Sequence, residues 1–202
     1  MGQLAYLLNL AFFSFLTRLL LFFKTGRYCH HVNSLGGILR LDVKGKLLLP
    51  QKEKVTFINS FGYSTLGISR PCKLSVYKNA ELIFNGKAGL SNAVVVATKK
   101  IVIGNNVMIG GGVTIIDCDF HSMDYNDWFT DNDALNAKSL PVIIEDNVFI
   151  GMNSIILKGV HIGKGAIIGA GSVVTKDVPE NCIAGGNPCV VIKKRNHECS
   201  IS

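Results

Sequence analysis

One histidine stands in a stretch otherwise crowded with carboxylates. Asp117, Asp119, His121, Asp124, Asp127, Asp131 and Asp133 follow one another there, with Tyr125, Trp128 and Phe129 among them. An imidazole is mostly neutral at physiological pH and can take the proton of a nucleophile as attack begins. A carboxylate at the other ring nitrogen would fix its tautomer. Asp119 is two residues from His121 and Asp117 four, and spacing leaves open which of them, if either, orients the ring. The acidic residues lack the D-x-D-x-D-G pattern with a terminal Glu that would hold calcium. The six cysteines share no zinc-ligand spacing with His30, His31, His121, His161 or His197, so no metal is expected. They contain no C-x-x-C pair and read as reduced thiols of a cytosolic protein.

The elements that must carry this stretch are set by a six-residue beat. Ile144, Ile150, Ile156, Ile162 and Ile168 form one column, closed by Val174. Two residues earlier runs a column of small or β-branched residues: Val142, Val148, Ser154, Val160, Ala166, Ser172 and Val178. Ile103, Ile109 and Ile115, with Val107 and Val113, keep the same beat upstream. Neither a helix of period 3.6 nor a strand of period 2 produces this, whereas a solenoid of short strands does. The polar stretch is therefore an insertion (117–141) between two runs of coil, projecting from a corner where water can satisfy it. His161, between Val160 and Ile162, points outward.

Before residue 101 the beat is ragged. Short apolar runs at Ile38 to Leu41, Leu47 to Leu49, Val55 to Ile58, Leu74 to Val76 and Leu82 to Phe84 read as strands of early coils. After Pro179, Asn181 to Lys194 reads as a loop and short strand closing the solenoid. The organisation expected is a hydrophobic helix and connector (1–34), an all-β solenoid (35–195) and a tail (196–202).

The amino-terminal segment Leu4 to Phe23 is apolar and long enough to span a bilayer, but Arg18 within it would be costly there. Met1, Gly2 and Gln3 supply no basic region of a secretory signal. Two readings remain: a helix on the inner membrane surface, or one packed on a partner subunit. The net charge of +7 is scattered, with Lys193, Lys194 and Arg195 the main cluster, and no nucleic-acid module accompanies it. A phosphorylated small molecule or an anionic membrane suits it.

Three stretches carry a resemblance. They are Ile103-Gly104-Asn105-Asn106-Val107-Met108-Ile109-Gly110, running on through Val113-Thr114-Ile115 to the loop; Ile144-Glu145-Asp146-Asn147-Val148-Phe149-Ile150-Gly151; and Ile168 to Pro179, followed by Ala184-Gly185-Gly186-Asn187-Pro188-Cys189. From Asn92 to Lys193 the chain resembles the left-handed β-helix acyltransferases, in the sugar O-acetyltransferase branch with galactoside, maltose and capsule or lipopolysaccharide acetylases. The resemblance implies a left-handed parallel β-helix, acetyl-coenzyme A as donor, a saccharide hydroxyl as acceptor and a homotrimer with sites between subunits. It implies His121 as general base and the Met152 N–H, just after Gly151, as oxyanion donor. Asn92 would lie near the thioester, Ala170, Thr175 and Lys176 along the pantetheine and phosphate path, and Lys193 at the nucleotide end. Two residues depart from the pattern: Val190 replaces a second basic residue and Phe149 a Trp. The expected role is acetylation of a capsule, O-antigen or exopolysaccharide unit, in the cytoplasm or on the inner membrane face. The rivals are an N-acetyltransferase acting on a nucleotide amino-sugar and a structural β-helix without activity. Residues 35 to 90 show no Gly-rich phosphate loop, which counts against the first.

Overall fold

Alternate residues of a strand face the same way, so both repeat columns can point inward together. The computed structural model describes residues 3–59 and 70–195 and shows this packing. Ile144, Ile150, Ile156, Ile162, Ile168 and Val174 are all fully buried, as are Val142, Ser154, Ala166 and Ser172 of the companion column. The chain winds as a left-handed parallel β-helix with three flat faces. The first face stacks Val32–Leu35, Val55–Ile58, Ala88–Ser91, Val107–Ile109, Phe149–Ile150, Ile167–Ile168 and Cys182–Gly185. The second stacks Arg40–Val43, Lys73–Val76, Val94–Ala97, Thr114–Ile116, Ile155–Ile156 and Val173–Val174. The third stacks Lys46–Leu48, Glu81–Phe84, Lys100–Ile103, Val142–Ile144 and His161–Ile162.

Corners demand conformations that most residues avoid. Asn92, Asn106, Asn147 and Asn153 take positive φ there, which asparagine tolerates. Gly151 is required by crowding instead: a Cβ on it would lie 2.5 Å from the Ala170 nitrogen of the next coil. In the early coils the second-face strand is Arg40–Val43 rather than Ile38 to Leu41. The turn at Gly36 and Gly37 occupies the earlier residues, while Leu39 is buried at the corner. At the far end Val190–Lys194 folds back antiparallel on Cys182–Gly185, and Arg195 donates to the Gly165 carbonyl at 2.7 Å. The expected tail, 196–202, lies outside the described residues.

Helix α1 spans Gln3–Thr25 and stops at Gly26, whose N–H reaches the Phe22 carbonyl at 2.8 Å from a left-handed conformation. It runs antiparallel to Val32–Leu35. Asn9 accepts from the Gly36 N–H, Ser14 from the Ser34 N–H, and Arg18 Nε donates to the Val32 carbonyl at 2.8 Å. Leu21 is fully buried and joins the core. Arg18, costly in a bilayer, is turned into the coil.

Candidate active site

The insertion leaves the corner between the second and third faces, and Asp117 fixes it there. This residue is fully buried. Its Oδ1 accepts from the Thr98 N–H and hydroxyl at 2.7 and 2.8 Å, its Oδ2 from the Lys99 and Lys100 N–H groups at 2.8 and 2.7 Å. Asp117 therefore clamps the preceding coil's corner rather than the imidazole. Asp119, the other candidate to orient the ring, pairs instead with Lys158 Nζ at 2.6 Å and ties the loop to the following coil.

The carboxylate on the imidazole is Asp133, twelve residues away. A short helix, α2 (Asp131–Asn136), returns it to the ring, with Thr130 at its N-cap accepting from the Asn132 N–H. Asp133 Oδ2 lies 2.7 Å from His121 Nδ1, and Oδ1 accepts from the Ser122 N–H at 2.8 Å. The hydrogen bond from His121, aided by that from Ser122, holds the Asp133 carboxyl below the usual carboxylate range. An ionised Asp133 makes Nδ1 the protonated nitrogen and leaves Nε2 with its lone pair free, the state a general base needs. Asp127 braces the loop by accepting from the Ser122 hydroxyl at 2.6 Å and the Asn136 amide at 2.8 Å. Trp128 Nε1 donates to the Ser122 carbonyl at 2.8 Å. His121, Trp128, Phe129 and Asp133 line a hollow of about 380 Å³, and Phe129 at its rim is wholly exposed.

A second feature lies on the corner between the first and second faces. Strand register aligns Ile109, Ile150 and Ile168, so Gly111, Met152 and Ala170 stack two residues further on, about 4.8 Å per coil. None of these three N–H groups donates to another group among the described residues. A row of undonated backbone amides offers hydrogen bonds to an extended polar ligand or to a developing oxyanion. The missing Cβ of Gly151 lets the Met152 and Ala170 coils approach that closely. The amide row and the exit of the loop that bears His121 thus stand on different corners of one coil, about 13 Å apart along a four-residue face. No three His, Cys, Asp or Glu side chains gather into a metal-holding group among the described residues.

The family model describing the hexapeptide repeat of succinyl-transferase matches residues 141–176, the coils that bear Met152 and Ala170 of this row. The chain belongs to the hexapeptide-repeat acyltransferases. It is 45% identical over 105 residues to a galactoside O-acetyltransferase of Lactococcus lactis, covering 52% of this chain and 48% of that one. Over 53 residues it is 60% identical to a 2,3,4,5-tetrahydropyridine-2,6-dicarboxylate N-acetyltransferase of Staphylococcus aureus, covering 26% and 22%. A hexapeptide-repeat acetyltransferase of Vibrio cholerae, solved with acetyl-coenzyme A, aligns at TM-score 0.55 and 30% identity, over 62% of this chain and 66% of that one. The chain spans about half the length or less of the curated relatives it matches.

The remaining acyltransferase positions sort by place. Asn92 lies in the same corner column as the amide row, one coil before Gly111. Its side chain turns inward, fully buried, donating to the Arg70 carbonyl and leaving Oδ1 without a partner among the described residues. Thr175, Lys176 and Lys193 are exposed at the carboxyl-terminal end. Phe149 is partly exposed on the first face, where with Met108 it lines an apolar hollow of about 270 Å³. Sequence reasoning missed Asp133. The signal was present, since Thr130 three residues before an acidic residue is a helix-start spacing.

Proposed function

We propose that this chain is an O-acetyltransferase that moves an acetyl group from acetyl-coenzyme A to a saccharide hydroxyl. The observation that carries the reading is the His121–Asp133 pair beside an exposed, aromatic-lined hollow, where a neutral ring that donates from Nδ1 to Asp133 has its Nε2 lone pair free. A neutral hydroxyl is a weak nucleophile at pH 7 and needs such a base. His121 Nε2 takes the hydroxyl proton as the oxygen attacks, and Asp133 stabilises the imidazolium that results. The Met152 N–H offers its hydrogen bond to the oxyanion, and Ala170 presents the next amide along the same row. Acetyl-coenzyme A would supply the acetyl group as a thioester, held by that row, Thr175, Lys176 and Lys193. His121 then returns its proton to the departing thiolate, and no covalent enzyme intermediate is required.

The separation of base and amide row within one chain supports a trimer, in which each loop meets the amide corner of a neighbour. Outward apolar residues on the coil (Met108, Phe149, Ile155) fit such packing. The identity to an N-acetyltransferase supports a second reading, an amine acceptor. Thiol release from acetyl-coenzyme A, measured against panels of hydroxyl and amine acceptors, separates the two. Release should need a hydroxyl acceptor and vanish in His121→Ala. Turnover with amines alone would transfer the assignment to the N-acetyl branch. In mixed oligomers, His121→Ala and Gly151→Val chains should complement each other if sites form between subunits.

A further inference from the structure

A helix resting on a soluble domain ordinarily turns its apolar stripe inward and its polar residues to water. Helix α1 does the reverse. Asn9, Ser14 and Arg18 are spent on hydrogen bonds to the first coil, and Thr17 is buried beside them. The outer side presents Leu4, Leu8, Phe12, Phe15, Phe22 and Phe23, each between 43% and 75% exposed. The helix is long enough to cross a bilayer, yet its bonds to the first strand, spread from Asn9 to Arg18, lay it along the end of the coil.

The charge along the chain up to Asp42 has one sign. No Asp or Glu precedes Asp42, whereas Lys24, Arg27, His30, His31 and Arg40 fall on that stretch. Beyond the helix's carboxyl end Arg27 and His30, with Tyr28, Leu49, Pro50 and Gln51, line a hollow of about 490 Å³. A second copy of α1 would bring a like-charged flank against this one. An anionic lipid surface complements both the apolar stripe and the cations.

We infer that α1 lies in the headgroup layer of an anionic membrane, with the hollow at Arg27 and His30 taking a lipid phosphate. The acceptor loop then stands at a fixed height. Its last coil strand, Thr114–Ile116, is three strand spacings from Arg40–Val43 in the first coil, about 14 Å along the axis. That height suits a saccharide carried on a lipid in the same membrane. Only this last step rests on the acetyltransferase reading; the docking does not.

The test is co-sedimentation of the full chain with vesicles of phosphatidylcholine, with or without phosphatidylglycerol, in the absence of substrates. The protein should pellet with the anionic vesicles and weakly with the neutral ones. Phe12→Glu/Phe15→Glu, at two exposed positions, should weaken pelleting by about tenfold or more while its circular dichroism and oligomeric size stay unchanged. Arg27→Ala should lose the preference for phosphatidylglycerol. Wild-type protein left in the supernatant overturns the proposal, and so does wild-type pelleting by the double variant. A double variant that dissociates, with no vesicle binding by the wild type, would reassign the face to contact between copies. Thiol release with a soluble acceptor, assayed in parallel, reports on the acetyltransferase reading separately.

Discussion

On the proposed mechanism, replacing Asp133 by Asn should remove the general base without disturbing the shape of the chain. The Ser122 N–H holds Oδ1 of this side chain at 2.8 Å while Oδ2 faces the imidazole. An amide has one oxygen. If that oxygen stays on Ser122, the amide N–H₂ faces Nδ1, which must then accept, and the ring proton moves to Nε2, where a base needs a lone pair. Rotating the amide restores the productive tautomer only by setting N–H₂ against the Ser122 N–H, at the cost of one backbone hydrogen bond and a population about tenfold lower. The variant also lacks the negative charge that stabilises the imidazolium in the transition state. His121 is 73% exposed in the single chain, so solvent screens that term and only about another tenfold to hundredfold follows. Together kcat should fall about 10²- to 10³-fold, within the range that general-base catalysis commands. KM for acetyl-coenzyme A should stay near wild type. Steady-state thiol release gives both constants, with Asp119→Asn as the control that leaves the ring bond intact. An Asp133→Asn enzyme within about twofold of wild type in kcat would refute the assignment. The pH profile adds a check. The carboxyl is held below its ordinary 3.8, so its ionised contact with the ring is present above that value and lost only as pH falls through the depressed pKa. Asp133 should therefore add no inflection between about pH 5 and 8.

Three further outcomes follow from the coil. Gly151→Ala places a Cβ 2.5 Å from the Ala170 nitrogen, so the coils must part; denaturant unfolding should show a loss of about 1–3 kcal/mol, with kcat lowered as the Met152 amide shifts. Asp117→Ala leaves three buried-corner N–H groups without their acceptor and should cost about 3 kcal/mol by chemical denaturation, some of it recovered by water. Lys176→Ala should raise KM for acetyl-coenzyme A by about threefold, less at high salt, because the lysine is exposed and its pull on a phosphate is screened.

The coil was legible because its signal is summed over many equivalent positions. Each isoleucine of the column meets the same demand, and one exception such as Ser154 or Ser172 does not hide the period. The loop offered no such averaging. Asp119 was closest to His121 in sequence, yet Phe120 between them takes a left-handed conformation that breaks the strand's alternation, and Lys158 on the next coil captures Asp119. Asp133 reaches the ring only because α2 reverses the chain, and a six-residue helix leaves a faint trace in sequence. The helix α1 was legible as an apolar segment but not as an inverted one. That inversion depends on which polar side chains find partners on the first strand, a tertiary fact with no local signature.

The clamp formed by Asp117 also bears on how such proteins diversify. It secures the start of the insertion through the coil's backbone and Thr98, and Asp119 on Lys158 with Ser139 on Thr98 completes the hold on the exit. The undonated amides proposed to hold the donor meanwhile belong to a different corner. On that proposal new loop sequences can be tried for new acceptors without retuning the grip on the acetyl carrier, and a graft of residues 120–137, which keeps Asp119 and Ser139, is the natural unit of exchange.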